Sequence, residues 1–367
     1  MKLHAFRRSL LVFATIVLAS PFTGSLHAED GFLKDSAVNS QDMSTMLDAG
    51  GQNAGWRVVN SEGKPSGDGL RVEAEDIQGL RGNGRGVRFK IASGGEKIRV
   101  VVHLPIEAQA SEWYLTTFLL RAEGDLKPTE MFAVFMGSQG EAVRGHFPPT
   151  GDSYELRVLT SRMNDIPVDS LVLQFLYDEA AEGTGTLDLV DVQVREVDMA
   201  ALKKAADKSG PSVDFAPGRF GRGELVDSAG TATGNASLLP SDGKLPFLIL
   251  PFGEDNFPSI GLVEVDWGGF RSSTENAGES DISIRALSDS GVSELRFQPA
   301  QSQEEMQKVE IPVFQYFQQP INLIFGTSQT GEAVVGGVRF LPAQSLSRQD
   351  IITEMFRSVD DLDIYLP

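Results

Sequence analysis

The sequence predicts an all-β protein: two tandem antiparallel β-sandwich (jelly-roll) domains, with a short linker helix and a C-terminal helix. Three observations predict it. Short runs rich in Val, Ile and Phe recur along the chain, and apolar residues alternate within them at the two-residue period of a half-buried strand. Glycine and proline punctuate these runs, and no helical pattern longer than two turns interrupts them before Asp198. One stretch also returns in degraded form: residues 184–197, TGTLDLVDVQVREV, line up with residues 330–343, TGEAVVGGVRFLPA. LVLQF precedes the first copy and INLIF the second, so each unit is expected to close with a similar hairpin, with Gly183 and Gly185 at the first reversal.

Taken in order, residues 1–28 read as a secretory signal. Lys2, Arg7 and Arg8 precede an apolar run over 10–19, and Ala28 stands at a small-residue cleavage point. The run is short for a membrane span, so membrane attachment is expected only if this segment stays uncleaved. Residues 29–45 are polar and read as a flexible lead-in. The first sandwich is expected over 46–197, beginning with a glycine-rich bend around Trp56 and continuing through strands such as GVRFKIA, KIRVVVHL and WYLTTFLLRA. DMAALKKAADKS (198–209) breaks the rhythm: Asp198 can cap a helix whose Met199, Leu202 and Ala206 share one side, and Gly210 and Pro211 end it. Residues 198–211 are therefore the linker. The second sandwich is expected over 212–344. Residues 345–367 form a terminal helix and tail, with Ser347 as cap and Ile352, Met355, Phe356 and Val359 as an apolar stripe.

Charge and residue scarcity narrow the chemistry. Signal removal takes Lys2, Arg7 and Arg8 and no acid, reducing 32 basic residues to 29 against 51 acidic ones, a net charge of −22. Such a field repels nucleic acid, and no basic stripe offsets it. The chain has no cysteine, which excludes disulfides, thiol catalysis and cysteine-zinc sites. Of its four histidines, only His103 and His146 lie beyond the signal. His103 sits in an apolar strand and reads as structural, while His146 in RGHFPP is the better catalytic candidate. There is no G-x-S-x-G elbow and no H-E-x-x-H. RGNGRGVRF lacks the lysine and hydroxyl of a phosphate loop and is followed by a strand, so it reads as a turn. With 51 acids, a carboxylate pair of the glycosidase kind stays open.

Aromatic placement supplies the candidate site. In SEWYLTTFLLRA, Tyr114, Phe118 and Leu120 share one face, and Trp113, Thr117 and Arg121 share the other. If the first face is core, the second presents a ring, a hydroxyl and a guanidinium, the equipment that stacks a pyranose and bonds its hydroxyls. Gln174 and Gln193 are expected to join that outward surface, with Trp267 and Tyr316 as counterparts in the second domain.

The first domain, over about 46–197, resembles the carbohydrate-binding modules of bacterial xylanases and glucanases, within the galactose-binding-like β-sandwiches. The resemblance rests on Leu47, Gly55 and Trp56 at the opening, on Tyr114, Phe118 and Arg121 in WYLTTFLLRA, on Tyr154, and on Asp191 and Val192 in the closing strand. It implies a polysaccharide ligand and a structural calcium ion with Asp191 and Asp48 as ligands. The chain departs from the family pattern where a glutamate is missing near 47–51 and where Val190 replaces an aspartate. Gly337 stands in the second domain where Asp191 stands in the first.

The expected function is that of a secreted or periplasmic, non-catalytic glycan-binding protein that holds a polysaccharide on a sandwich face through Trp113, Thr117, Arg121, Gln174, Gln193 and Trp267. The alternatives are a structural or protein-binding sandwich of a cell-surface or matrix assembly, docking through the C-terminal helix, and an all-β polysaccharide lyase or glycoside hydrolase.

Overall fold

Alternating apolar residues give this chain strand after strand, and the computed structural model shows how they are layered. It describes residues 31–36, 55–60, 70–77, 86–95, 97–147, 150–163, 166–177, 182–206, 213–215, 223–227, 236–240, 247–251, 259–272, 282–288, 291–297, 307–316, 322–327 and 331–346. The signal segment, Asp48 and the expected C-terminal helix lie outside the described residues.

The first half comprises β1 (Leu33–Ser36), β2 (Gly55–Asn60), β3 (Leu70–Asp76), β4 (Gly86–Gly94), β5 (Ile98–Ala108), β6 (Trp113–Gly124), β7 (Glu130–Gly137), β8 (Gly140–Phe147), β9 (Glu155–Arg162), β10 (Val168–Tyr177) and β11 (Glu182–Val197). Helix α1 (Met199–Ala206) follows. The second half comprises β12 (Val213–Phe215), β13 (Gly223–Asp227), β14 (Ala236–Pro240), β15 (Phe247–Pro251), β16 (Ser259–Ser272), β17 (Ile282–Ser288), β18 (Gly291–Phe297), β19 (Gln307–Gln315), β20 (Asn322–Thr327) and β21 (Gly331–Ser345). The protein is all-β, with one short helix among the described residues.

Three sheets result. The largest runs β15-β20-β17-β18-β9-β6-β11-β4-β3, with β1 on β11; the second runs β2-β5-β10-β7-β8; the third runs β13-β14-β21-β16-β19, with β12 on β21. Pairing among the described strands is antiparallel except between β18 and β9, which run parallel from Gly291 opposite Val158 to Glu294 opposite Ser161. Through that ladder the largest sheet draws strands from both halves of the chain. Leu33 is buried and faces Val197 across β1 and β11, so the segment expected to be a flexible lead-in contains a paired strand.

In the first half, the five-stranded sheet packs face to face on β3, β4, β6, β9 and β11. Val100, Val102, Leu171, Leu173 and Phe175 from one layer share a core with Phe89, Phe118, Leu120, Leu187 and Leu189 from the other. Edge-on aromatic contacts stitch the layers: Trp56 to Phe89 at 5.6 Å and Phe118 to Phe147 at 5.3 Å. The closing hairpin expected from the sequence is not a hairpin. β10 pairs with β5 and β7 while β11 pairs with β4 and β6, so the chain crosses from one layer to the other between them. The reason is burial: the apolar faces of both strands enter the same core from opposite sides. β20 and β21 repeat the arrangement in the largest and third sheets.

The linker helix forms as its sequence suggests. The Asp198 carboxylate accepts a hydrogen bond from the Ala201 amide at 2.9 Å, an N-cap, and Leu202 and Ala206 are buried where α1 packs on β16 and β21. Lys203 pairs with Glu310 on β19, fixing the helix to the third sheet.

Candidate functional site

The outer face of the largest sheet carries a charged row that antiparallel register builds. Glu75 lies opposite Arg88, Arg88 opposite Asp188, and Asp188 opposite Arg121, across β3, β4, β11 and β6. Asp188 is 1% exposed and fully engaged. Arg88 grips both of its oxygens, Nε to Oδ1 at 2.6 Å and Nη2 to Oδ2 at 2.8 Å; Arg121 Nη2 donates to Oδ2 at 2.7 Å; and the Tyr154 hydroxyl donates to the same oxygen at 2.8 Å. Arg121 also lies over the Tyr154 ring, 4.3 Å from its centroid. Burial raises the Asp188 pKa, but hydrogen bonds from Arg88, Arg121 and Tyr154 outweigh it and hold the carboxyl below its ordinary value. Burial, and then Asp188 itself, push the Tyr154 phenol well above its usual range.

The next row along the same face is Glu73, Lys90, Thr186 and Glu123, again in register. Lys90 pairs with Glu75 at 2.6 Å, and Arg121 Nη1 approaches Glu123 at 3.4 Å, so the two rows are electrostatically joined. Here the face opens into a depression of about 540 Å³, walled by Glu73, Lys90, Glu123, Thr184 and Thr186. Glycine shapes its floor. A Cβ on Gly185 would stand 2.1 Å from the Leu126 carbonyl oxygen, and Gly124, at φ +95°, would bring one within 2.6 Å of the Thr184 carbonyl. The Asp125 and Leu126 amides both donate to that Thr184 oxygen, at 3.1 and 3.3 Å, so the floor is fixed by main chain. Acceptors, a cationic donor and hydroxyls thus surround one hollow on a rigid sheet, an arrangement suited to a hydroxyl-rich ligand.

The residues singled out from sequence are only partly brought together. Trp113, Thr117 and Arg121 do share the face opposite Tyr114 and Phe118, and Gln193 lies directly opposite Thr117. Trp113 is 5% exposed, however, because this outer face carries its own buried apolar residues, Leu115, Leu119, Val158 and Val190. Its ring is therefore not open for stacking. Gln174 is on β10, in the other layer, where its Oε1 accepts from Arg99 Nη1 at 3.2 Å. Trp267 is on β16 in the third sheet, opposite Gln307 and Val335. These three positions do not form one surface.

Asp191 has a positive φ of 48° at the register break between Val190 and Gln193. This bulge flips the alternation of β11, so that Leu187 and Leu189 before it and Val192 and Val194 after it all face the core. Among the described residues no group of three acidic or histidine side chains gathers, and Asp48, the other expected calcium ligand, lies outside them. His103 is partly buried on β5, and burial, then Arg57, lower its pKa. His146 packs on the Phe132 ring at 5.1 Å.

Arg88, Asp188, Glu73 and Lys90 are not among the residues that the sequence singles out. Their signal is there as a lone aspartate in an apolar strand, LDLVDV, together with arginines at alternate positions of two other strands.

No family model matches the chain. No curated protein matches it either. Among solved structures, similarity extends to the enzymatically active domain of bacteriophage CBA120 tailspike protein 4, at 11% identity and TM-score 0.32, over 44% of this chain and 21% of that one. The chain thus spans about a fifth of that tailspike domain. The N-terminal tandem of family 22 carbohydrate-binding modules from Paenibacillus barcinonensis Xyn10C is similar over 82% of this chain and 96% of that one, at 11% identity and TM-score 0.26. The family 11 carbohydrate-binding module of a Clostridium thermocellum cellulosomal cellulase is similar over 41% of this chain and 91% of that one, at 15% identity and TM-score 0.26. At these TM-scores the likenesses carry no functional weight, and function is read from the chain's own geometry.

Proposed function

We propose that the mature chain acts outside the cytoplasm as a glycan-binding protein without a catalytic centre, holding a polysaccharide in the depression on the largest sheet. One observation carries this reading: Glu73, Lys90, Glu123, Thr184 and Thr186 surround a hollow of about 540 Å³ whose floor is fixed by backbone hydrogen bonds. Carboxylates and threonine hydroxyls accept from sugar hydroxyls while the Lys90 ammonium donates to them, and ligand recognition is by hydrogen bonding rather than by a Trp113 stack. Thr117 and Gln193, on the same face, extend it along the strands. Arg121, locked to Asp188, keeps Glu123 in place.

Affinity electrophoresis through gels containing a panel of soluble neutral polysaccharides tests the reading. At least one glycan should retard the wild-type protein, and Lys90→Ala/Glu123→Ala should migrate freely. Retardation by none of these neutral glycans would overturn the assignment of the depression. We propose in addition a structural calcium ion held by Asp191 and Asp48. A chelator should lower the melting temperature, and an unchanged melt would show that no structural calcium is bound.

A further inference from the structure

The outer face of the five-stranded sheet, on the far side of the sandwich from the depression, differs in chemistry from everything else described. Register places Arg57, Val101, Gln174, Phe132 and His146 in one straight row across β2, β5, β10, β7 and β8. The neighbouring rows add Arg99, His103 and Arg144. At about 4.8 Å between strands the central row is about 19 Å long. Between the polar groups the sheet is apolar: Val59, Val101, Val134 and Val172 cluster, with Phe132 and Met136 packed against them.

Arg57, Arg99 and Arg144 balance Glu107, Glu130 and Glu141 here although the whole chain has a net charge of −19, and the arginines occupy the middle of the face. Arg57, Arg144 and His146 are exposed, and no carboxylate pairs with Arg57 or Arg99 among the described residues. The acids nearby are Glu130 and Glu107 at the ends of the rows and Glu141, which pairs with Arg144 at 2.7 Å. Arg99 Nε and His103 Nε2 are buried with no partner among the described residues. The Arg144 guanidinium lies 5.3 Å from the Phe132 ring centroid, which props it above the sheet.

We propose that this face binds an anionic polysaccharide, with Arg57, Arg99 and Arg144 taking its charged groups and Phe132 and Gln174 meeting the sugar rings and hydroxyls between them. Guanidinium forks match carboxylate and sulfate geometry. The valines beneath are buried, so the half-buried Phe132 ring is what a pyranose face would meet. Duplex nucleic acid fits poorly, because its sugars and bases lie between two phosphate strands and offer Phe132 and Gln174 no pyranose ring. The inference concerns a second surface and does not depend on occupation of the depression.

Affinity electrophoresis of the full chain against sodium polygalacturonate, dextran sulfate, neutral dextran and duplex DNA tests it. Polygalacturonate or dextran sulfate should retard the wild-type protein, the first assigning carboxylate groups and the second sulfate groups. Retardation should fall with added salt. Arg57→Gln/Arg144→Gln, two exposed positions, should weaken binding about tenfold or more, with the thermal melt unchanged. Lys90→Ala/Glu123→Ala should leave it intact, which separates this face from the depression. Retardation by neither polyanion, equal retardation by duplex DNA, or full binding by the arginine variant would overturn the proposal.

Discussion

The two outer faces of the first sandwich use arginine in opposite ways. On the largest sheet, Arg88 and Arg121 are spent on a buried aspartate and a tyrosine. On the five-stranded sheet, Arg57 and Arg99 face outward without a carboxylate partner among the described residues, and only Arg144 is paired, at an exposed site. A charge compensated within the fold holds architecture, whereas an uncompensated one on the surface is available to a ligand. The contrast therefore predicts that the first set governs stability and the second governs binding.

The strongest way to break that contrast is Asp188→Ala. It leaves two guanidinium groups and a phenol facing a void, and it should destabilise the protein by about 3–5 kcal/mol in urea unfolding. An effect under about 1 kcal/mol would mean the network is decorative. The same residue sets an acid limb. Its folded carboxyl lies below the ordinary value, so its contribution is fully present above the unfolded carboxylate pKa and is lost as pH falls through the lower folded value. Melting curves should steepen their decline below the ordinary carboxylate range in the wild type, and Asp188→Ala should flatten it. Next in size is Gly185→Ala. Its Cβ would meet a backbone carbonyl at 2.1 Å, so a loss of about 1–3 kcal/mol should accompany a disturbed depression, read by urea unfolding and by glycan retardation together. The smallest effect belongs to the other face. Arg57→Gln/Arg144→Gln should change stability by no more than about 0.5 kcal/mol, and a larger loss would show that these arginines are structural after all.

Strand content is legible in the sequence because two-residue alternation is a local property, and the same holds for the core side of β6, where Tyr114 and Phe118 face inward as expected. What alternation cannot specify is the layer in which a strand lies. Gln174 and Gln193 each point away from the core, yet one is on β10 and the other on β11, so they lie on opposite outsides of the sandwich. Likewise it cannot show whether an outward face is itself covered, which is why Trp113 lies on the expected side and is buried there. The Asp191 bulge also escapes a strict two-residue reading, since Val190 alternates with Val192 in sequence but faces away from it. The Arg88, Asp188 and Arg121 network joins residues brought together only by pairing of β4, β11 and β6, and no single strand announces it. Tyr154 stands out in the sequence as a large aromatic residue; its role as a hydroxyl donor to Asp188 emerges only from the tertiary arrangement.

The hollow beside Arg121 is the proposed sugar site. Isothermal titration of soluble neutral polysaccharides into the wild-type protein and into Lys90→Ala/Glu123→Ala addresses it directly. Saturable heat is expected for the wild type with at least one glycan and none for the variant. Equal heats from both proteins, or no heat from any glycan, would contradict it.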